Sequence, residues 1–295
     1  MIQDILNACV LGSIYLLFAL GISLTWATIG VLNFAHGAVF MFSAFTAHLI
    51  GETARLPIVL YAVIAAAAGA VMSALIQVLV FAPIQRRARD HRTAETQILI
   101  GGVGVASIPV GIAAYITKSG SFGFDLTGQN PVFEIAGLRF TLIGTTILVL
   151  ALLISLGTAF WIRRSRTGLA LRAIGVDHET ARLMGVDERR LAIGTMAVAG
   201  LLSGLAGALL TVHLVAIDPT TGDGFLIKAF AAIVLGGVGS VLGVVLGTFV
   251  LAFAETFTIL AGYGSWSSAI SFALIFVVLL IRPQGFFGRK EVTRA

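Results

Sequence analysis

The chain has 295 residues, 58% of them hydrophobic and only 11% charged, and its mean hydropathy is +1.02. A soluble domain carries about 25% charged residues, so this composition excludes the ordinary water-soluble classes and indicates a polytopic membrane protein. The net charge of +5 does not imply a nucleic-acid partner, because the basic residues lie in short loops between apolar runs, where they mark the cytoplasmic side.

The chain opens Met-Ile-Gln-Asp with no basic residue ahead of the first apolar run, and its first positive charge is Arg55. A cleaved signal peptide is therefore not expected, and the first run should be retained. The single cysteine, Cys9, excludes an intrachain disulfide or a Cys-based zinc site and reads as a small buried hydrophobe.

Spanning a hydrocarbon core of about 30 Å at about 1.5 Å per residue takes about 20 apolar residues. The uncharged run over 5–50 is 46 residues long and is broken by Gly30-Val31-Leu32-Asn33-Phe34-Ala35-His36-Gly37. It predicts a full helix to about Trp26 and a shorter one after Ala35. Residues 58–82, 98–117, 140–162 and 191–215 each predict one membrane-spanning helix. Residues 225–260 are 36 in number, too many for one crossing and too few for two ordinary ones, with Gly236-Gly237-Val238-Gly239-Ser240 in the middle. Two short or re-entrant helices are expected there, and a last run over 266–281 should stop at Arg282-Pro283. The fold class predicted is all-α and polytopic. It has about eight transmembrane helices with two broken or re-entrant segments, an inverted repeat, and a single transmembrane domain over 1–295.

Three loops carry fourteen of the sixteen arginines: 81–95, 163–190 and the tail from Arg282. All three should be cytoplasmic, leaving the segment 118–139, the turn around Asp218 and Asp223, and the N-terminus outside. Small residues at four-residue spacing, Gly200-x-x-x-Gly204 and Gly239-x-x-x-Gly243-x-x-x-Gly247, predict close helix contacts.

Two groups of residues are candidates for function. Transporters use broken helices so that freed backbone groups line a solute path. That logic selects Asn33, His36 and Gly37 in the first break and Gly236, Gly237, Gly239 and Ser240 in the second. Asn33 and His36 would equally serve as a loop cap at the membrane surface. Glu255, the one acid inside an apolar run, is a pathway candidate by its cost alone, or an interfacial group. Lys228 and the histidines His48 and His213 read as interfacial.

The second group lies in 163–190, which holds seven arginines and four acids. Asp177 is placed to cap a helix starting at His178, Val176 and Ala181 to form a hydrophobic staple, and Gly185 to end the helix in a left-handed conformation. Such a helix would present Ala181 and Met184 on one face, and Glu179 and Arg182 as another pair, to a partner's groove. A solvated loop with local ion pairs is the alternative. None of the three lysines sits in a P-loop, so any nucleotide must be hydrolysed by another chain. Nucleophile-elbow and zinc-hydrolase motifs are also absent.

Four segments in order resemble one family: Asn33-Phe34-Ala35-His36-Gly37; Arg166-Thr167-Gly168-Leu169-Ala170-Leu171-Arg172-Ala173 with Ala181-Arg182-Leu183-Met184-Gly185; Leu235-Gly236-Gly237-Val238-Gly239-Ser240; and Arg282-Pro283-Gln284-Gly285. Together they look like the LivH-type permease of branched-chain amino acid ABC transporters. The resemblance implies an inner-membrane importer subunit without cofactor of its own, with ATP and magnesium bound by two partner ATPase subunits. A LivM-like second permease and a periplasmic substrate-binding protein would complete it. It also implies that the helix over 177–185 contacts the ATPase. Urea and short-amide permeases share these motifs, so the solute stays open between an amino acid and an amide. An ion-coupled secondary transporter or channel is a further alternative, but it gives no reason for the patterned cytoplasmic helix.

Overall fold

The structure, a computed structural model, describes residues 2–52, 56–126, 132–135, 138–175, 178–237, 239–282 and 285–287. Among them, seven helices are long and apolar enough to cross a membrane. The first, α1 (Ile2–Ile29), is followed by the shorter α2 (Ala35–Gly51). Next come α3 (Ile58–Ile76), a π-helical turn (Gln77–Phe81) and α4 (Ala82–Arg87), one continuous rod ahead of α5 (His91–Ile116). Pro83 has no N–H for the carbonyl four residues back, a recognised cause of local helix irregularity.

After α6 (Leu142–Arg164) come two short helices, α7 (Arg166–Ile174) and α8 (His178–Leu183). The long α9 (Glu188–Leu214) follows, then α10 (Thr221–Gly236), α11 (Val241–Leu260) and α12 (Ser267–Ile281). Two minimal antiparallel sheets sit in the connections: Phe122–Gly123 pairs with Ala216–Ile217, and Val132–Ile135 with Leu138–Thr141.

The centre of the bundle is α1 and α9, whose most apolar windows are 67% and 72% buried, whereas α12 buries Ile275 alone among its described residues. The sequence of α3 shows how a helix meets this centre. Tyr61, Ala65, Gly69 and Ser73, four apart, are buried, while Val59, Val63, Val71 and Leu75 face outward. The buried stripe meets Gly200 and Gly204 of α9, where an added Cβ would collide with the carbonyls of Gly69 and Ala65. Small residues there let two backbones touch, as their spacing predicted.

The second glycine series needs correction. Gly243 and Gly247 of α11 do meet α10, at Gly236 and Ala232. Gly239, however, has open space at its Cβ and φ +83°, so it belongs to the turn and Gly236 takes its place in the contact. The run over 225–260 goes in and returns as two helices, α10 and α11. Helix α10 starts inside the protein, its first turn pressed against that of α2: a Cβ on Gly222 would strike the carbonyl of Gly37, and the reverse holds too.

The basic loops share one end of the bundle. A cavity of about 950 Å³ there is bordered by Thr28 and Ile29 at the end of α1, Arg86 of α4, Asp90 and Glu95 around the start of α5, and Asp187 and Arg189 around the start of α9. By the charge rule this arginine-rich end is the one expected in the cytoplasm. The N-terminus of α1 lies at the opposite end, called the outer end on that expectation.

Candidate functional site

A second cavity, of about 520 Å³, lies at the outer end, between the first half of α1, the last turn of α9, the first turns of α10 and the last turns of α11. Most of its wall is apolar: Leu11, Leu210, Leu214, Phe225, Ile259 and Leu260. Its polar groups include Asp4, Asn7, His213, Lys228 and Glu255. Glu255 is 7% exposed, so it lies neither in lipid nor at the interface. One carboxylate oxygen accepts the hydroxyl of Tyr15 at 2.6 Å, and the other pairs with Lys228 Nζ at 2.5 Å. The expectation of an interfacial Lys228 is therefore overturned. A charge in a bilayer is tolerated where it faces the protein interior and finds a partner, and Lys228 is that partner.

Below the cavity an aromatic cluster closes the bundle. The ring of Phe225 lies 4.6 Å from Tyr15, 5.5 Å from Phe18 and 4.8 Å from Phe40. Phe18 in turn lies 4.8 Å from the imidazole of His36. His36 is fully buried, and although the Phe18 carbonyl is near, neither ring nitrogen reaches hydrogen-bonding geometry. Such an orphaned polar ring in the core is costly unless it has a use.

The other pathway candidates are placed differently. Asn33 is buried, not at the membrane surface, and its Oδ1 accepts the Ala35 N–H at 3.0 Å, organising the first turn of α2. Gly37 is a helix contact, as described. Gly236 and Gly237 end α10, and the Ser240 hydroxyl accepts the Gly243 N–H to cap α11. The N–H groups of Phe286 and Phe287 donate to the carbonyls of Leu235 and Gly236, both at 2.9 Å, so the tail closes this end of α10. Gly236, Gly237, Gly239 and Ser240 are thus parts of a capped turn between α10 and α11. The physical reason is that glycine and serine at a helix end satisfy orphan backbone groups as well as they expose them.

At the arginine-rich end, Ser165 caps α7, its hydroxyl accepting the Gly168 N–H at 2.8 Å. Helix α8 ends as its glycine predicts: Gly185 has φ +85°, and the Val186 N–H reaches back to the Ala181 carbonyl at 3.1 Å, the longer-range bond of a Schellman cap. Ala181 points inward, clustered with Leu171, Ile174 and Leu191 and backed by Val186. It cannot share an outward face with Met184. The exposed pair is instead Leu183 and Met184, 88% and 80% exposed. Three-residue spacing pairs Met184 with Ala181, but the short α8 ends at Leu183 and turns that neighbour outward instead. Asp177 lies outside the described residues, as do the side chains of Glu179 and Arg182.

Comparison with known proteins agrees with this architecture. Residues 4–279 match the family described as the branched-chain amino acid transport system permease component. The high-affinity branched-chain amino acid transport system permease protein LivH of Salmonella typhimurium is 30% identical, covering 99% of this chain and 97% of its own length. The corresponding BraD of Pseudomonas aeruginosa is 32% identical with the same coverage of both chains. Among solved structures, PsaBC from Streptococcus pneumoniae, determined in complex with Fab, superposes with a TM-score of 0.50 at 15% identity. The match covers 96% of this chain and 91% of that one, a likeness of fold.

Proposed function

Since this chain belongs to the family of permease components of branched-chain amino acid transport systems, it is a multi-pass membrane transport subunit, and we infer that it carries branched-chain or related amino acids inward. Two partner ATPase subunits would bind ATP and magnesium and do all the hydrolysis. A periplasmic binding protein would deliver the solute, and a LivM-like permease would complete the path. No covalent chemistry is assigned to this chain.

The observation that carries this reading is the placement of α9. Its N-terminal turn shares an apolar cluster with α7 and α8 through Leu191, and its C-terminal turn borders the outer cavity through Leu210 and His213. A helix of 27 residues spans about 40 Å, so one rod joins the cytoplasmic surface to the outer cavity. Leu183 and Met184 supply an apolar knob that an ATPase groove can hold. When ATP draws two ATPases together, movement of this knob would tilt α9 and alternate access between the two cavities. The cluster of Tyr15, Phe18, Phe40 and Phe225 would keep the passage shut between strokes.

The test is uptake into proteoliposomes holding both permeases and both ATPases. Leucine should accumulate only with ATP and the loaded binding protein. Uptake driven by an ion gradient alone would sink the reading, and transport of urea but not leucine would move it to the amide branch.

A further inference from the structure

We propose that Lys228 and Glu255 form an exchangeable pair that reads both charged ends of a zwitterionic amino acid in the outer cavity: the solute ammonium replaces Lys228 Nζ on Glu255, and the solute carboxylate takes the freed Lys228. The proposal deepens the importer reading and rests on it.

Three observations carry it. The pair stands on the wall of a cavity, with side chains of Lys228 and Glu255 still 20% and 10% exposed. Stability alone gives weak reason for such a pair, since a buried ion pair often stabilises no more than apolar residues of the same shape. The apolar part of the wall, Leu11, Leu210, Leu214, Phe225, Ile259 and Leu260, suits an aliphatic side chain, and about 520 Å³ lies in the range of small-molecule sites, about 300–1,000 Å³. Finally, Tyr15 holds one oxygen of Glu255 through its hydroxyl while Lys228 holds the other. The carboxylate is therefore fixed in place when Lys228 turns away on its flexible stem.

The exchange conserves charge balance. In the resting state one anion faces one cation; with a zwitterion inserted, two such contacts replace one, and no buried charge is left alone. An uncharged amide of the same shape would have to lie beside an intact pair, or part it and leave two unpaired charges in an apolar wall. A site built on buried polar groups rejects analogues that cannot satisfy them far more strongly than an apolar pocket rejects a change of size. The pair thus selects the amino-acid backbone, and the apolar wall selects the side chain. Asp4 and His213 also line the cavity wall.

The decisive experiment compares the complete reconstituted importer with its K228M/E255Q variant, in which both charges are removed together so that neither is stranded. Membrane abundance and co-purification of the ATPases should match wild type. Initial leucine uptake should fall about 10- to 100-fold, the equivalent of one lost charge-assisted contact. Unchanged rate and KM in this variant would overturn the proposal while leaving the importer reading intact, and absence of leucine uptake by the wild type would overturn the reading itself.

A second measurement avoids mutation. In the wild-type complex, modification of lysines by an amine-directed reagent is read by peptide mass spectrometry, with Lys118 and Lys290 as internal references. Leucine should change the modification of Lys228 alone, and 4-methylpentanamide, which lacks both charges, should not. Equal effects of the two compounds, or no effect of leucine, would also overturn the proposal.

Discussion

The two glycine-rich interruptions look alike in sequence, yet the protein uses them in opposite ways. The first, over 30–37, sends the chain back into the bundle, so that His36 packs against Phe18 and Gly37 against Gly222. The second, over 236–240, is a capped turn closed by the tail through Phe286 and Phe287. A break in an apolar run therefore says that the chain turns, and says nothing of how deep. Depth follows from what packs on the break: α1, α5, α9 and α10 around the first, a short tail on the second.

Substitution at the two breaks should expose this difference. Gly37→Val should have the largest effect, because its new side chain meets backbone at Gly222, which cannot yield as a side-chain tip would. Overpacking of this kind costs about 1–3 kcal/mol, and we expect the upper end, seen as loss of folded protein from the membrane. If G37V accumulates and transports like wild type, the contact between α2 and α10 is not required.

The proposed coupling surface offers the next test, since its helix end also depends on one glycine. Replacing Leu183 and Met184 by glutamate should leave the fold intact, both side chains being exposed, but should separate ATP hydrolysis from uptake. Ala181→Glu should instead destabilise by placing a charge in the cluster of Leu171, Ile174 and Leu191. Comparable behaviour of the two changes, measured as uptake per ATP and as thermal stability, would contradict the inward placement of Ala181.

His36→Leu follows. An apolar residue of similar size removes two unsatisfied ring nitrogens, so a thermal scan should show stability unchanged or raised by about 1 kcal/mol. A large loss would mean that the imidazole has a partner in the complex. Gly239→Ala should be milder than Gly37→Val: its Cβ would meet open space and only the left-handed φ of +83° resists, costing about 1–2 kcal/mol.

The smallest expected effect is that of pH on the loop that leads into α10. Burial pushes the Asp218 carboxyl up, but hydrogen bonds with Thr220 and Thr221 outweigh it and hold the group below its ordinary value. A depressed carboxyl contributes stability above its unfolded pKa of about 3.9, and that contribution is lost as pH falls through the folded value. Thermal stability of wild type should therefore decline more steeply than that of Asp218→Asn as the medium is acidified below pH of about 4.

The sequence by itself determined the properties that follow from short-range regularities. Apolar length set the membrane spans, because a hydrocarbon core has one thickness. The arginines set which end is expected in the cytoplasm. A glycine two residues beyond Leu183 set the end of α8, because the Schellman cap needs a left-handed residue at that offset. Glu255 was legible as a costly charge, but its role was not, since its partners Lys228 and Tyr15 lie 27 and 240 residues away. Only the tertiary structure brought these three together at one cavity wall, turned Ala181 inward and left Leu183 outward, and buried His36 while capping the second break. Periodicity and charge are written along the chain, whereas the distance between residues remote in sequence is decided by how the helices pack.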